Sequence, residues 1–199
     1  KLGRIVKRII LKKIMSCLDE VDTNIICGYG YTSPYLSFIN KHNASSQVKE
    51  LRPDFLDGAV QEKYDFEEKA IHEYFIPLEP STVDVVISSH LLEFVEKPIS
   101  SIEEIWRILK PNGYFITILP RRSGLWSRYD NNPFGYGRSY SSKQFQKLIE
   151  DFFVLDNKKS FLHFPPWEHY LNYKTYKTIE NIGNNIFPYM GGLMICSVS

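Results

Sequence analysis

Residues 82–119 read TVDVVISSHLLEFVEKPISSIEEIWRILKPNGYFITIL, and the order of patterns in this stretch decides the fold. Residues 82–89 are β-branched and almost continuously apolar, which is typical of a parallel strand buried on both faces. Apolar residues at helical spacing predict a helix over 100–109, and Lys110-Pro111-Asn112-Gly113 ends it with a turn. Residues 114–119 predict the next strand. A strand, a helix and a strand in this order predict a parallel sheet that carries helices.

The same alternation continues on both sides of this stretch. Further strands are predicted at 24–29, 47–51, 70–75 and 192–198, and further helices at 4–16, at 34–39 and from 141 or 142 onward. Residues 152–155 and 160–164 are interpreted as strand pieces, and 165–190 as irregular chain. We expect a Rossmann-like α/β fold, with five or more parallel strands in a mostly parallel central sheet and helices on both faces. The last strand should be antiparallel to its neighbours.

The composition is that of an ordinary globular chain without a strong electrostatic bias. The 199 residues suit a single domain over 1–199, with 43% hydrophobic and 24% charged residues. The formal net charge is only +1, so the overall charge does not indicate a nucleic-acid partner. The basic amphipathic helix 4–16 is either a surface for nucleic acid or lipid, or a helix that docks on the sheet with its charges in water. The small net charge favours docking.

Cysteine usage and apolar runs bear on the compartment. The three cysteines, Cys17, Cys27 and Cys196, show no CxxC spacing, which argues against a disulfide framework and against structural zinc. No apolar run reaches the roughly 18 residues that a membrane span requires. We predict a cytoplasmic protein with no metal site and no transmembrane segment, and the sequence does not predict its oligomeric state.

The turn after the first predicted strand, Gly28-Tyr29-Gly30-Tyr31-Thr32, is the first place to expect a ligand. In an open parallel sheet, ligands bind beyond the carboxyl ends of the strands. Glycine lets the backbone approach a ligand closely, and the N-terminus of the following helix favours an anionic group. Two glycines at this spacing are equally typical of a plain turn, so the motif alone does not decide between the two.

A longer constellation carries a family resemblance. Residues 76–86 (IPLEPSTVDVV) and 104–113 (EIWRILKPNG) resemble the methyltransferase-11 (UbiE/COQ5-like) family of class I S-adenosylmethionine (SAM)-dependent methyltransferases. The resemblance covers about residues 20–155. More narrowly, 30–36 and 120–138 resemble a little-characterised group of alphaproteobacterial methyltransferase-like proteins. The resemblance implies SAM as cofactor and methyl transfer, but it does not identify the acceptor. A small molecule, a lipid quinone, a protein and an RNA all remain open, and a small molecule is slightly favoured.

The resemblance also implies a division of the chain and a set of cofactor-binding residues. The cofactor-binding half is expected at about 20–110 and the substrate-side half at about 111–199. The expected cofactor-binding residues are Gly28, Tyr29, Gly30, Tyr31, Thr32, Glu50, His72, Glu73, Ser89 and His90.

This sequence departs from the family motif in its first loop and after its second strand. The position of the family's first-loop acid falls on Gly28, and two of its three glycines fall on Thr32 and Pro34. The acid that binds the ribose falls on Arg52, which leaves Glu50 two residues earlier. These departures keep a second interpretation open, a non-catalytic binding or regulatory module that retains the fold. A nicotinamide-dependent oxidoreductase is a weaker alternative, because the first turn lacks a third glycine.

The irregular segment 120–140 is the expected substrate-side region, because long segments without regular structure are often functional. Its candidate substrate-side residues are Arg121, Arg122, Trp126, Tyr129, Arg138 and Tyr140. Arginines there would capture a carboxylate or phosphate. The alternative is a surface loop that Trp126 and Phe134 tie down.

His90 and Glu93 follow the strongest predicted strand. His90 is a candidate general base, or else it simply packs beside the cofactor. Methyl transfer from a sulfonium depends mainly on positioning, so the reaction does not require an obvious base.

Overall fold

The described residues form seven strands and five helices in this computed structural model. The strands are β1 (Ile25–Gly30), β2 (Gln47–Pro53), β3 (Glu67–Ile71), β4 (Val83–Ser89), β5 (Leu109–Pro120), β6 (Leu155–Phe161) and β7 (Leu193–Val198). The helices are α1 (Leu2–Leu18), α2 (Ser33–His42), α3 (Pro98–Ile108), α4 (Ser142–Ile149) and α5 (Tyr173–Ile186), with 3-10 turns at Asp54–Leu56 and Trp126–Arg128. The structure describes residues 2–19, 21, 23–42, 45–56, 67–72, 74–129, 132, 134–166 and 173–199.

The strands form one sheet in the order β3-β2-β1-β4-β5-β7-β6. The first five strands in that order are mutually parallel, and β7 runs antiparallel to both β5 and β6. This confirms the predicted fold class, including the antiparallel last strand. The order also differs from the 3-2-1-4-5-6 arrangement of dinucleotide-binding folds, in which a sixth strand follows the fifth directly. The topology therefore weighs against the oxidoreductase alternative.

Successive side chains of the strands point to opposite faces of the sheet and pack into two cores, one on each face. On β1, Cys27 and Tyr29 join Ile105 of α3 and Phe145 of α4 in one core. Ile26, on the opposite face, joins the buried residues of α1 and α2 in the other. Both cores consist of fully buried side chains, each worth about 1.5–3 kcal/mol of burial free energy. Helices therefore cover both faces of the sheet, as the sequence predicts.

Helix α1 packs on the sheet, as the docking interpretation predicts. Its residues Ile5, Ile10 and Ile14 are buried in the core that contains β1 and α2. Arg8 and Lys12 lie on the exposed side of the same helix. The apolar stripe thus determines how α1 packs, and its charges remain accessible.

The prediction of irregular chain over 165–190 is wrong, because this range contains α5. The buried positions of α5 are Tyr176, Glu180 and Gly183, a set with no aliphatic side chain. The buried Glu180 carboxylate accepts hydrogen bonds from the backbone N–H groups of Leu162 and His163, at 2.9 and 2.8 Å. A helix held by a buried carboxylate and a glycine contact lacks the apolar period on which recognition from sequence depends.

Two further strands lie a few residues from their predicted positions. The third strand, predicted at 70–75, is β3 at Glu67–Ile71. The two pieces predicted at 152–155 and 160–164 are parts of one strand, β6. Four consecutive residues of β6 are exposed, because it is the edge strand of the sheet, and so its sequence carries little apolar signal.

Candidate functional site

Two cavities lie beyond the carboxyl ends of the parallel strands. The larger, of about 550 Å³, is lined by Leu2, Gly3, Val6, Lys7, Tyr31, Pro34, Tyr35, His90, Trp126, Asn132, Phe134 and Pro166. The smaller, of about 380 Å³, is lined by Asp54, Phe55, His72, Phe94 and Glu96. His90 belongs to the larger and Phe94 to the smaller, and their ring centroids are 6.3 Å apart. The segment that follows β4 therefore has one cavity on each side.

The Glu50 carboxylate fastens the loop between β1 and α2. One of its oxygens accepts the Thr32 N–H at 3.0 Å and the Thr32 hydroxyl at 2.8 Å. The other accepts the Ser33 hydroxyl at 2.6 Å and pairs with the Arg52 guanidinium at 3.0 Å. Glu50 is completely buried. These four contacts occupy both oxygens, so the carboxylate serves the loop and lines neither cavity.

Gly28 has no room for a side chain. A Cβ atom there would lie 2.2 Å from the Thr32 hydroxyl oxygen and 2.4 Å from Cδ1 of Leu36. The position on which the family's first-loop acid falls is therefore packed closely against Thr32 and Leu36. This chain therefore needs glycine at position 28.

Gly30 brings the loop into contact with the end of β4. Its φ of +102° lies in the region that favours glycine, and a Cβ atom there would meet the Ser89 carbonyl oxygen at 2.6 Å. The next residue, Tyr31, donates its N–H to that same carbonyl at 2.8 Å. The turn thus places the Tyr31 ring beside the residue that follows Ser89, which is His90.

His90 and Glu93 form a buried pair at the boundary of the larger cavity. His90 Nδ1 lies 3.2 Å from Glu93 Oε1, and the Glu93 side chain is completely buried. His90 has a φ of +53°, a left-handed conformation that non-glycine residues seldom adopt. Such strain persists only where the surrounding structure enforces it, and it is frequent at functional sites.

Aromatic rings hold the His90 imidazole in place. It stacks on Phe134 with a centroid distance of 4.6 Å and an interplanar angle of 27°. The Tyr31 ring meets it edge-on at 6.0 Å. Nδ1 faces the Glu93 carboxylate at 3.2 Å without a hydrogen bond to it, so Nε2 is the nitrogen that is available to a ligand. Burial, together with the smaller effects of Tyr31 and Glu93, raises the pKa of Tyr35 in the same cavity, so its phenol stays neutral.

The smaller cavity combines aromatic rings with carboxylates. The Phe55 and Phe94 rings lie 6.5 Å apart at an interplanar angle of 47°, and both are partly exposed. Asp54 and Glu96 are exposed beside them. Of this set, only His72 was predicted from the sequence. The others follow β2 and β4 directly, so the rule that ligands bind beyond strand ends could have found them.

The fold matches that of known proteins. Residues 24–117 match the family described as a methyltransferase domain. A SAM-dependent methyltransferase of Thermotoga maritima superposes with a TM-score of 0.71 at 15% identity, covering 100% of this chain and 90% of that one. The fold is that of the SAM-dependent methyltransferases. Further structures of this fold were solved with SAM or S-adenosylhomocysteine bound. These findings show that the chain has the methyltransferase fold.

Two curated relatives share shorter stretches with this methyltransferase-like chain. The highly reducing polyketide synthase pkhB of Emericella nidulans is 29% identical over 101 residues, which are 51% of this chain and 4% of that protein. The human mitochondrial arginine-hydroxylase NDUFAF5 is 32% identical over 94 residues, which are 45% of this chain and 26% of that protein. The chain thus spans only a small part of the curated relatives that it matches.

The structure separates the predicted cofactor-binding residues into three groups. Tyr31 and His90 line the larger cavity, and His72 lines the smaller. The residues that lie in or against the strand ends and line neither cavity are Gly28, Tyr29, Gly30, Thr32, Glu50 and Ser89. Glu73 lies outside the described residues. Of the nine that the structure describes, three therefore line these cavities.

Of the predicted substrate-side residues, Trp126 alone lines the larger cavity. Its indole N–H donates to the Phe164 carbonyl at 2.6 Å, which ties the segment 120–140 to the chain after β6. Tyr140 donates its hydroxyl to the Leu92 carbonyl at 2.7 Å, and the Arg138 N–H donates to the Glu93 carbonyl at 2.8 Å. The segment thus covers the cavity and braces the chain around Glu93.

The remaining members of that set lie outside both cavities. The Arg121 guanidinium lies 6.0 Å from the Tyr189 ring centroid and donates to the Ser123 hydroxyl at 3.0 Å. Arg122 is exposed. The Tyr129 carbonyl accepts a hydrogen bond from the side-chain amide of Asn132. The sequence prediction did not include Asn132, which lines the larger cavity, although it lies within the predicted segment.

The described residues contain neither a candidate metal site nor a membrane-spanning helix. Among the described residues, no three His, Cys, Asp or Glu side chains are grouped so as to hold a metal ion. Within the same residues, no helix combines the length and apolar character needed to cross a bilayer. Cys17, Cys27 and Cys196 form no disulfide.

Proposed function

We propose that this protein transfers the methyl group of SAM to a small-molecule acceptor in the larger cavity, and that His90 accepts the acceptor's proton. The observation that carries the proposal is the His90–Glu93 pair, with its 3.2 Å contact at the end of β4 beside a 550 Å³ cavity. The buried Glu93 carboxylate lies 3.2 Å from Nδ1 and keeps the imidazole in place, so that Nε2 can accept a proton. Residues 1–199 act in this proposal as one domain, with a cofactor half at 20–110 and an acceptor half at 111–199.

The smaller cavity suits the adenosine part of SAM. Phe55 and Phe94 offer ring faces on which a purine can stack. Asp54, directly after β2, and Glu96, after β4, supply carboxylates that can accept hydrogen bonds from ribose hydroxyls. These two acids substitute in our proposal for the ribose acid whose position falls on Arg52.

The boundary between the two cavities suits the sulfonium. A cation is attracted to the faces of aromatic rings, and Tyr31 and Phe134 both lie against His90 there. Lys7 of α1, in the larger cavity, is placed to pair with the carboxylate of the methionine part. The N–H groups of Tyr31 and Thr32 are already bonded within the protein, so side chains rather than loop amides would hold the cofactor.

His90 performs the proton transfer in this account. Bound SAM supplies an electrophilic methyl group on a sulfonium, and the acceptor must present a nucleophilic atom in line with it. His90 Nε2 takes the proton from the acceptor's O–H or N–H group, and Glu93 balances the positive charge that results. Trp126 and Phe134 hold an apolar acceptor and exclude water. Three cysteines without a disulfide are consistent with the proposed cytoplasmic location.

A His90→Asn variant tests this assignment. Asparagine tolerates the left-handed backbone of position 90 but is a poor base, so the fold should survive while proton transfer is lost. Release of S-adenosylhomocysteine is measured with a panel of small phenols, amines and carboxylic acids. We expect at least a roughly 100-fold loss of turnover on any acceptor that the wild type methylates. The control is His42→Asn at the end of α2, which should keep full turnover.

A second candidate function is a non-catalytic binding or regulatory module, and the Glu50 contacts favour it. They use the completely buried carboxylate of Glu50 to hold that loop in place. A protein that binds SAM but releases no S-adenosylhomocysteine with any acceptor of the panel would support this function over the first.

A further inference from the structure

A third cavity lies away from the strand ends, between α1, β6 and α5. Its volume is about 190 Å³. Five cationic side chains from the three elements line it: Arg8, Lys12, Lys13, Lys159 and Lys177. The complete chain has a net charge of only +1, so this basic groove is a strong local concentration of positive charge.

The basic groove has little negative charge of its own. Its single carboxylate, Glu180, already accepts the Leu162 and His163 N–H groups and lies 3.5 Å from His163 Nδ1. In the part of the chain that the structure describes, none of the four groove lysines forms an ion pair within 4.0 Å. The positive charges are thus gathered but not neutralised.

Lys13 is partly buried among these charges. Burial is the main cause of its lowered pKa; Glu180 raises the pKa, and the nearby Lys159 and Lys12 lower it. Arg8 lies 5.3 Å from the Tyr173 ring centroid, which fixes the guanidinium on the edge of the groove. Like charges held together in a concave site repel one another, and a bound anion would relieve that repulsion.

We propose that the basic groove binds a compact phosphate-bearing anion, such as pyrophosphate or a phosphate monoester. Four ammonium groups and a guanidinium match the several oxygens and charges of such a group. The volume of about 190 Å³ is below the range of about 300–1,000 Å³ typical of sites for whole drug-sized ligands, which favours a small polyanion. The groove shares no lining residue with the two cavities of the proposed methyltransferase site.

The test is isothermal titration calorimetry of pyrophosphate into the complete chain, at constant ionic strength. The test variant is Lys13→Gln/Lys159→Gln, which removes two groove charges from different elements. The matched control is Lys143→Gln/Lys147→Gln, on exposed positions of α4 on the opposite face of the sheet. We expect saturable binding by the wild type, at least a roughly tenfold loss in the groove variant, and less than a roughly twofold change in the control.

Two further probes identify the source of the phosphate. Co-sedimentation with vesicles tests whether the phosphate belongs to a lipid headgroup. Vesicles of phosphatidylcholine with phosphatidic acid are compared with vesicles of pure phosphatidylcholine. Binding to the phosphatidic acid vesicles that depends on the groove lysines supports phosphate binding by the groove. Equal pyrophosphate binding by both variants, or no binding of either phosphate probe, overturns the proposal. Binding of a short single-stranded RNA that needs the groove lysines, without pyrophosphate binding, also overturns it. SAM affinity should be the same in all three proteins, so the outcome is independent of the proposed methyl transfer.

Discussion

Thr32 donates both its backbone N–H and its hydroxyl to one oxygen of Glu50, at 3.0 and 2.8 Å. This double contact joins the loop after β1 to β2 and fills the space beside Gly28. The departures from the resembled motif are therefore coupled: the missing acid, the threonine in place of glycine and the inward carboxylate form one packed unit. In the proposed function, side chains of the two neighbouring cavities hold the cofactor instead of this loop.

The first prediction concerns Glu50 itself. Glu50→Gln would place an amide N–H₂ against donors from Ser33 or Thr32 and would leave the Arg52 guanidinium without its carboxylate. We expect the free energy of unfolding to fall by about 2–4 kcal/mol. Urea denaturation measures the change. The exposed Glu103→Gln should shift the midpoint very little, and equal midpoints for both variants would contradict the role given to Glu50.

Restoring the family's acid gives a second prediction. Gly28→Asp should destabilise the chain rather than improve cofactor binding, because the new Cβ would overlap Thr32 and Leu36. Overpacking of this kind costs about 1–3 kcal/mol, and an unpaired buried carboxylate adds to it. Thermal unfolding with and without SAM is the measurement. A stable Gly28→Asp variant with tighter SAM binding would show that the loop can rearrange.

The smaller cavity is tested through Asp54. If this carboxylate binds the ribose hydroxyls, Asp54→Asn should weaken SAM binding about tenfold, because a charged hydrogen bond is worth about 1.5–3 kcal/mol. Asp19→Asn, at an exposed position just after α1, is the matched control. Calorimetric titration measures the SAM affinity of both variants. Identical affinities would show that Asp54 does not bind the ribose hydroxyls.

The covering segment is tested by comparing Trp126 with the arginine pair. Trp126→Phe removes the indole N–H that bonds to Phe164 and alters the wall of the larger cavity. Arg121→Ala/Arg122→Ala removes charges that lie outside both cavities. We expect the tryptophan variant to lose acceptor methylation more strongly, with SAM affinity nearly unchanged in both. If the arginine pair proves more important for turnover, those residues contact the acceptor after all.

Stability in acid should depend on Glu104. Hydrogen bonds from the Arg107 guanidinium hold the pKa of Glu104 below its ordinary value of 4.5. Partial burial opposes this effect, and the hydrogen bond from the Ile76 N–H adds to it. A lowered folded pKa means that the stabilisation is present above the unfolded pKa and is lost as the pH falls through the folded pKa. Below about pH 4.5, the free energy of unfolding should therefore fall less steeply with decreasing pH in Glu104→Gln than in the wild type. In Glu103→Gln it should fall as steeply as in the wild type.

The sequence predicts β1, β4 and the second half of β5 well, because both faces are buried there and the apolar runs are nearly continuous. It does not predict the first half of β5, which contains exposed residues; the pattern there predicts the end of α3 and a turn instead. It does not predict α5, whose buried face contains Glu180 in place of an aliphatic residue. The edge strand β6 is likewise difficult to recognise, since most of it is exposed. Apolar periodicity thus predicts the elements that the core requires, and it misses elements held by polar contacts.

The candidate site shows the same division. The i,i+3 spacing of His90 and Glu93 is visible in the sequence, but only the fold shows that both are buried and that Nδ1 meets the carboxylate. From the sequence, Glu50 is predicted to be a cofactor ligand. In the structure it binds Thr32 and Ser33 instead, and the sequence could not show this because the contacts depend on the path of a loop 17 to 18 residues away along the chain. The motif indicates which residues are present, and the three-dimensional contacts decide what each one binds.

Calorimetric titration of S-adenosylhomocysteine and SAM into the complete chain tests the central claim most directly. The account predicts saturable one-site binding of both ligands, weakened by Asp54→Asn in the smaller cavity and retained in His90→Asn, which affects proton transfer. No heat and no thermal shift at millimolar SAM would contradict it. NADH binding in place of SAM would instead favour the oxidoreductase alternative.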